Sequence, residues 1–218
     1  MCIRDRTINA AAIQGNLEMV KYCVANQCPI DTRACAEAAK NGHLEILKYL
    51  RLRKKAKAPW DSATASLAGG NGHLHILEYL VERKFDKYDH WACQWAAEKG
   101  HLDCLKYLHE TAKAPWDSST ANGAAKNGHL HILEYLVERE YDEYSEKTVM
   151  VAAECGHLDC LKYLHETAKA PWNYLAVFWA HENNNLECLQ YLLDNNCPLP
   201  SSWRYEDGEL RVPESESE

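Results

Sequence analysis

Histidine and cysteine stand three residues apart at His101/Cys104 and again at His157/Cys160. On a helix that spacing can hold a metal ion. Five histidines, His43, His73, His101, His129 and His157, each directly follow a glycine, and seven tyrosines, Tyr22, Tyr49, Tyr79, Tyr107, Tyr135, Tyr163 and Tyr191, keep one fixed offset from the same kind of turn. Metal binding and acid–base work are the chemistries these residue types offer. Comparison within the chain favours plainer roles. Where Cys104 and Cys160 stand, sister segments carry Ile46, Ile76 and Ile132, so cysteine there is read as a small hydrophobe. A histidine copied with a turn is read as a hydrogen-bonding residue. The tyrosines are read as packing between neighbouring helices with their hydroxyls reaching water. The sequence has no GxSxG, no phosphate-binding loop and no paired CxxC. The expectation is a chain that is not an enzyme, with no catalytic residue, no metal and no cofactor.

A repeat positions these residues. The stretch GHLDCLKYLHETAKAPW from Gly100 recurs letter for letter from Gly156, and NGHLHILEYLVER from Asn71 recurs from Asn127. A two-repeat block of 56 residues has been duplicated. Anchoring on Gly15, Gly42, Gly72, Gly100, Gly128, Gly156 and Asn184 gives seven units spaced 27, 30, 28, 28, 28 and 28 residues apart. After each anchor, apolar residues at the second, fourth, fifth and eighth positions, as in Leu44, Ile46, Leu47 and Leu50, predict an amphipathic helix. Before each anchor a segment of small residues, with alanine four positions upstream in every unit (Ala11 to Ala180), predicts a shorter first helix that lets its neighbour approach closely. The anchor supplies the turn between them, and Pro-containing links such as APWDS end the second helix. A helix pair cannot bury its apolar face alone, so units must stack.

The core AAKNGHLEILKYL, Ala38 to Leu50, resembles the ankyrin-repeat family, and the resemblance spans roughly residues 5 to 200. It implies an all-α, ankyrin-like helix-turn-helix solenoid of about seven short repeats over residues 1–200; the tail at 201–218, rich in acidic residues, reads from its composition as disordered. Two departures stand out: the period is 28 instead of about 33, and the T-P-L-H signature is absent. The missing residues are expected to come from the projecting β-hairpin finger. The resemblance also implies that first helices line the concave side and build the binding surface there, for a partner protein.

Function in such an array belongs where copies differ while the frame stays fixed. The variable first-helix positions give the candidate contact set Arg33, Glu37, Leu67, Trp91, Trp95, Glu98, Lys126, Lys147, Val151, Phe178 and Trp179. Trp60, Trp116 and Trp172, copied with the frame, are read instead as packing between units. A basic cluster, Arg51, Arg53, Lys54, Lys55 and Lys57, coincides with the 30-residue spacing and forms a possible electrostatic patch. In the tail, Trp203 and Tyr205 are candidates to dock on the last repeat or on another chain.

Charge and composition bound the rest. A net charge of −8 and a pI near 5.8 give no general basic field, so nucleic acid is not an expected partner. No uncharged run approaches the ~20 apolar residues of a membrane helix, and MCIRDRTINA carries no apolar signal region, so a cytoplasmic or nuclear protein with reduced cysteines is expected. MCIRDR matches no repeat and is the expected place of a junction or truncated start. The alternatives to a free-standing scaffold are an accessory subunit of a large assembly and a targeting fragment of a larger multidomain protein.

Overall fold

The computed structural model describes residues 3–52, 59–206 and 209–211. The chain divides into two compact units, Met1–Gly123 and Ala124–Glu218. In order, the first holds α1 (Ile3–Ile13), α2 (Leu17–Ala25), α3 (Thr32–Lys40), α4 (Leu44–Arg51), α5 (Ser62–Gly70), α6 (Leu74–Glu82), α7 (His90–Glu98) and α8 (Leu102–Glu110). Then come α9 (Ser118–Lys126), α10 (Leu130–Glu138), α11 (Glu146–Glu154), α12 (Leu158–Glu166), α13 (Tyr174–Glu182) and α14 (Leu186–Asp194), with a hairpin of β1 (Arg204–Glu206) and β2 (Glu209–Arg211). Odd-numbered helices are the first of each pair and even-numbered the second.

First helices are not shorter than second ones: α3 and α6 both run nine residues. Alanine thins a helix without shortening it, since it remains the best helix former. Start signals are local. Asp31 accepts from the Ala34 N–H at 3.3 Å, and Asn16 accepts from Met19 at 2.9 Å. Within each unit, first helices pack on first helices, α3 on α5 and α5 on α7 in one, α11 on α13 in the other, more extensively than second helices pack on each other. The fully buried alanines Ala34, Ala38, Ala65, Ala68, Ala92 and Ala96 permit that approach. Between the two layers lie Leu47, Leu50, Leu77, Leu80, Leu105 and Leu108 in the first unit and Leu161, Leu164 and Leu192 in the second, all at 0 % exposure. Each such side chain contributes about 1.5–3 kcal/mol through burial.

Cys104 and Cys160 belong to this layer, and burial pushes both thiols up to about 11. A thiol held protonated packs like the isoleucines it replaces. Tyrosines behave less uniformly than their periodicity predicts. Tyr22 is 66 % exposed, but Tyr79 is 3 % exposed with Trp60 edge-on to it at 6.4 Å, and its buried hydroxyl has no hydrogen-bond partner. Trp60 lies edge-on to Phe85 at 5.4 Å, while Trp116 and Trp172 stack on His109 and His165 at 3.5 and 3.8 Å.

The tail departs from the expected disorder in its first half. β1 and β2 pair antiparallel, Tyr205 opposite Leu210, and Trp203 seats its ring against Tyr174 and Phe178 of α13 at 5.3 and 5.8 Å. Leu210 and Trp203 give this acidic segment apolar area to bury, which its charge count conceals. Residues 207, 208 and 212–218 lie outside the described residues, as do Arg53, Lys54, Lys55 and Lys57 of the basic cluster.

Adjacent repeats are joined by one recurring bond. His43 Nε2 donates to the Ile13 carbonyl at 3.1 Å, His73 to Lys40 at 3.0 Å and His157 to Lys126 at 3.0 Å, in each case at the end of the preceding first helix. These carbonyls have no partner within their own helix. Asn185 performs the same task in the last repeat, donating to Ala153 and Glu154 at 2.9 and 2.7 Å. The ring rests on the preceding anchor glycine. At Gly42, whose φ is +76°, a Cβ would sit 2.9 Å from His73 Cε1. Glycine is therefore demanded twice, by its left-handed backbone and by the next repeat's imidazole. Asn184 takes the same left-handed conformation at φ +56°.

Two outcomes follow. Gly42→Ala is expected to lose about 1–3 kcal/mol in urea denaturation, since strain and clash act together. Burial lowers the His73 pKa from its ordinary 6.5, with the bond to Lys40 opposing the shift. The unfolded chain thus binds more protons once pH falls below 6.5, and stability is lost between that value and the lower folded one. The urea midpoint is expected to fall between about pH 7.5 and 5, and to fall less in His73→Asn, which imitates Asn185.

Candidate functional site

Exposed first-helix side chains form the candidate site, and each unit presents its own set. In the first unit, Arg33 is exposed and Glu37 and Leu67 are half-buried, so α3 and α5 offer a mixed, largely polar strip. On α7 the strip turns aromatic. Trp91 is 44 % exposed, its ring centroid 4.9 Å from His90 and 5.9 Å from Trp95. Glu98, half-buried at the same helix's end, pairs with Lys99 at 3.7 Å. Trp95 owes its place to a glycine on the neighbouring helix: a Cβ on Gly70 of α5 would lie 2.8 Å from Trp95 Cβ. Gly69 makes similar room, its missing Cβ 3.0 Å from a Leu108 methyl and 3.3 Å from the Ala92 carbonyl. Gly70 is thus the sequence counterpart of the place Trp95 takes.

In the second unit Lys126 and Lys147 are exposed, and Trp179 is 36 % exposed beside the half-buried Phe178, ring centroids 5.2 Å apart. Val151 does not belong to the surface. At 6 % exposure it packs within the layer of first helices, because a branched apolar side chain at that position is drawn into the gap beside the buried Ala152. Two aromatic residues absent from the candidate set join instead: His90 next to Trp91, and Tyr174, 40 % exposed under Trp203. Both sit at the first position of their helix, one residue before the helical face used to choose candidates.

The set carries both signs of charge, Arg33, Lys126 and Lys147 against Glu37 and Glu98. Among the described residues no group of three or more His, Cys, Asp or Glu side chains is gathered as a metal would require, and no helix is long and apolar enough to cross a membrane. Such a surface can bind through shape and desolvation.

Paired nine-residue helices, left-handed turns and a variable first-helix strip define a helical-repeat protein. The family of ankyrin repeats (3 copies) matches residues 36–118 and 121–201, and that of ankyrin repeats (many copies) matches 8–51. The chain belongs to the ankyrin-repeat family. Its fold is similar to the human ASB11 ankyrin repeat domain, with a TM-score of 0.52 and 18 % identity over 96 % of this chain and 93 % of that one. A comparison with curated protein sequences gave no match. Among the described residues, the only strands are β1 and β2, so the 28-residue repeats build no strand-paired finger of the kind that longer units project.

Gly70→Ala is expected to cost about 1–3 kcal/mol by overpacking against Trp95, and to change the near-ultraviolet circular dichroism of the tryptophans, both measurable on the purified chain.

Proposed function

We propose that this chain is a non-catalytic scaffold that binds a partner protein along the exposed side of its first helices, the side its resemblance assigns to the concave surface. One observation carries the reading: on α7, Ala92, Cys93, Ala96 and Ala97 are fully buried while Trp91 and Trp95, on the same nine-residue helix, form a partly exposed aromatic pair. An aromatic residue left half in water on a rigid helix stands to bury large area with little loss of rotamer freedom, which is the signature of an interface anchor. Arg33, Glu37 and Glu98 supply a polar surround in the first unit, with Leu67 an apolar member of it, and Lys126, Lys147, Phe178 and Trp179 form a separate patch in the second.

The buried, protonated cysteines support action in a reducing compartment, the cytoplasm or nucleus. Cys35 and Cys93, pushed up to about 12 by burial, serve as core hydrophobes and need no oxidation to do so.

The test compares the intact chain with Trp91→Ala/Trp95→Ala as baits in a pull-down, with folding of both confirmed by circular dichroism. Retention of a protein by the intact chain and its loss from the variant is the expected outcome. Equal capture by both baits would remove the first-helix face from consideration. Truncating two anchor tryptophans is expected to weaken binding by about 2 kcal/mol or more, roughly thirtyfold.

A further inference from the structure

Helices α2, α6, α10 and α14 end in a turn that fixes which two side chains meet. At the end of α2 the Gln27 N–H donates to the Val24 carbonyl at 3.1 Å and the Cys28 N–H to the Cys23 carbonyl at 3.0 Å, with Gln27 left-handed at φ 56°. In this arrangement the residue past the turn packs its side chain back on the last turn of the helix. The same backbone bond joins Phe85 to Leu80 at 3.0 Å, Tyr141 to Leu136 at 3.0 Å and Cys197 to Leu192 at 2.9 Å. In those three pairs every side chain is buried.

In the first repeat both places are cysteine. Cys23 is buried, whereas Cys28 is half-buried and open to solvent on one side. The two thiols are in direct contact: burial raises the Cys23 pKa above its ordinary 9.0, and the Cys28 thiol, through its charge and a hydrogen bond between the two side chains, raises it further. A thiol held protonated in the core reacts slowly with solutes, so the half-open Cys28 is the one an oxidant reaches first. Cys197 stands where Cys28 does, but it meets Leu192, and its thiol donates to the Asn173 carbonyl at 3.3 Å. Closing two sulfurs from hydrogen-bond contact to the ~2.05 Å of a disulfide is a matter of side-chain torsions, the backbone being held by the turn.

We propose that Cys23 and Cys28 are a redox-modification site, at which a peroxide converts the thiol pair into a reversible disulfide across the C-terminal turn of α2. Cys28, as thiolate, attacks one peroxide oxygen; the O–O bond breaks, the departing oxygen leaves as water, and Cys28 becomes a sulfenic acid. The Cys23 sulfur then attacks the Cys28 sulfur, the S–O bond breaks, and the released hydroxide takes the Cys23 proton to leave as a second water. Two thiols have lost two electrons and two protons, and the peroxide has gained both. The new bond fixes a turn that hydrogen bonds alone hold in the reduced chain. Both cysteines belong to the second-helix layer, so the site stands or falls independently of Trp91 and Trp95.

Hydrogen peroxide added to the folded, fully reduced chain tests the proposal, followed by quenching, alkylation and mass spectrometry. Trypsin cuts after Lys21 and Arg33, so both cysteines leave on one peptide, Tyr22–Arg33. That peptide is expected to become two hydrogens lighter and closed to alkylation, ahead of the peptides carrying Cys35, Cys93 and Cys104, and to regain both thiols with dithiothreitol. Cys28→Ser, a small change at a half-open position, is expected to slow oxidation of Cys23 about tenfold or more while circular dichroism is unchanged. In Cys23→Ala the sulfenic acid on Cys28 has no resolving thiol, and it is expected to accumulate and be captured by dimedone, as it is not in the intact chain. A Tyr22–Arg33 peptide that keeps both thiols while other cysteines oxidise, or dimedone capture at Cys28 equal in the intact chain and Cys23→Ala, overturns the site.

Discussion

Everything in these repeats depends on a hydrogen bond that a unit cannot make by itself. The last carbonyl groups of a first helix are unpaired within that helix, and the imidazole of the next repeat supplies the donor, as His73 does for Lys40. The same ring occupies the space where a side chain on Gly42 would stand. Turn geometry, helix termination and inter-repeat register are therefore one constraint expressed at a Gly-His dipeptide. Around it the apolar columns need only be the right size, which is why Cys104 and Ile132 serve equally in one position. Within each compact unit such short helices hold because one repeat completes its neighbour, as His43, His73 and His157 do, the behaviour expected of stacked repeats.

Much of this was legible in the sequence because copies could be read against one another. Gly42, Ala38, Leu47 and Leu50 declare turn, close approach and core by recurring with the right spacing, and that the histidines are hydrogen-bonding residues followed from their being copied with the turn. What the pattern could not give was anything set by a residue from elsewhere. Val151 shares its offset with Glu37 and Trp95, yet it is buried, since periodicity assigns a face and only packing assigns depth. Trp203 sits in a segment whose charge reads as unfolded, and its order comes from Tyr174 and Phe178, about thirty residues upstream. The tyrosine column looked uniform because its spacing is uniform; Tyr22 and Tyr79 differ in exposure, and only the folded chain brings Trp60 against Tyr79.

Frame and surface are thus separated cleanly in this chain. Alanine columns and the Gly-His bridge are held constant, while first-helix positions range from Arg33 to Trp91 to Lys147 without disturbing them. The same separation appears on the connector side, where Trp60 and Trp172 are retained while Arg51 lies over the one and His165 stacks on the other. Duplication of a two-repeat block supplies identical frames, and local substitution then gives each a different surface.

A second set of left-handed residues closes the even-numbered helices: Gln27, Lys84, Lys113, Glu140, Lys169 and Asn196, with φ between 53° and 57°. None is glycine, all are exposed, and most carry long polar side chains. Each holds backbone strain on the order of 1 kcal/mol, in a place touching neither the core nor the first-helix surface. Because stability in a stacked array is a sum over units and their junctions, these six positions act as separate dials. Fraying could be set high at one end and low at the other without altering a single contact a partner would see.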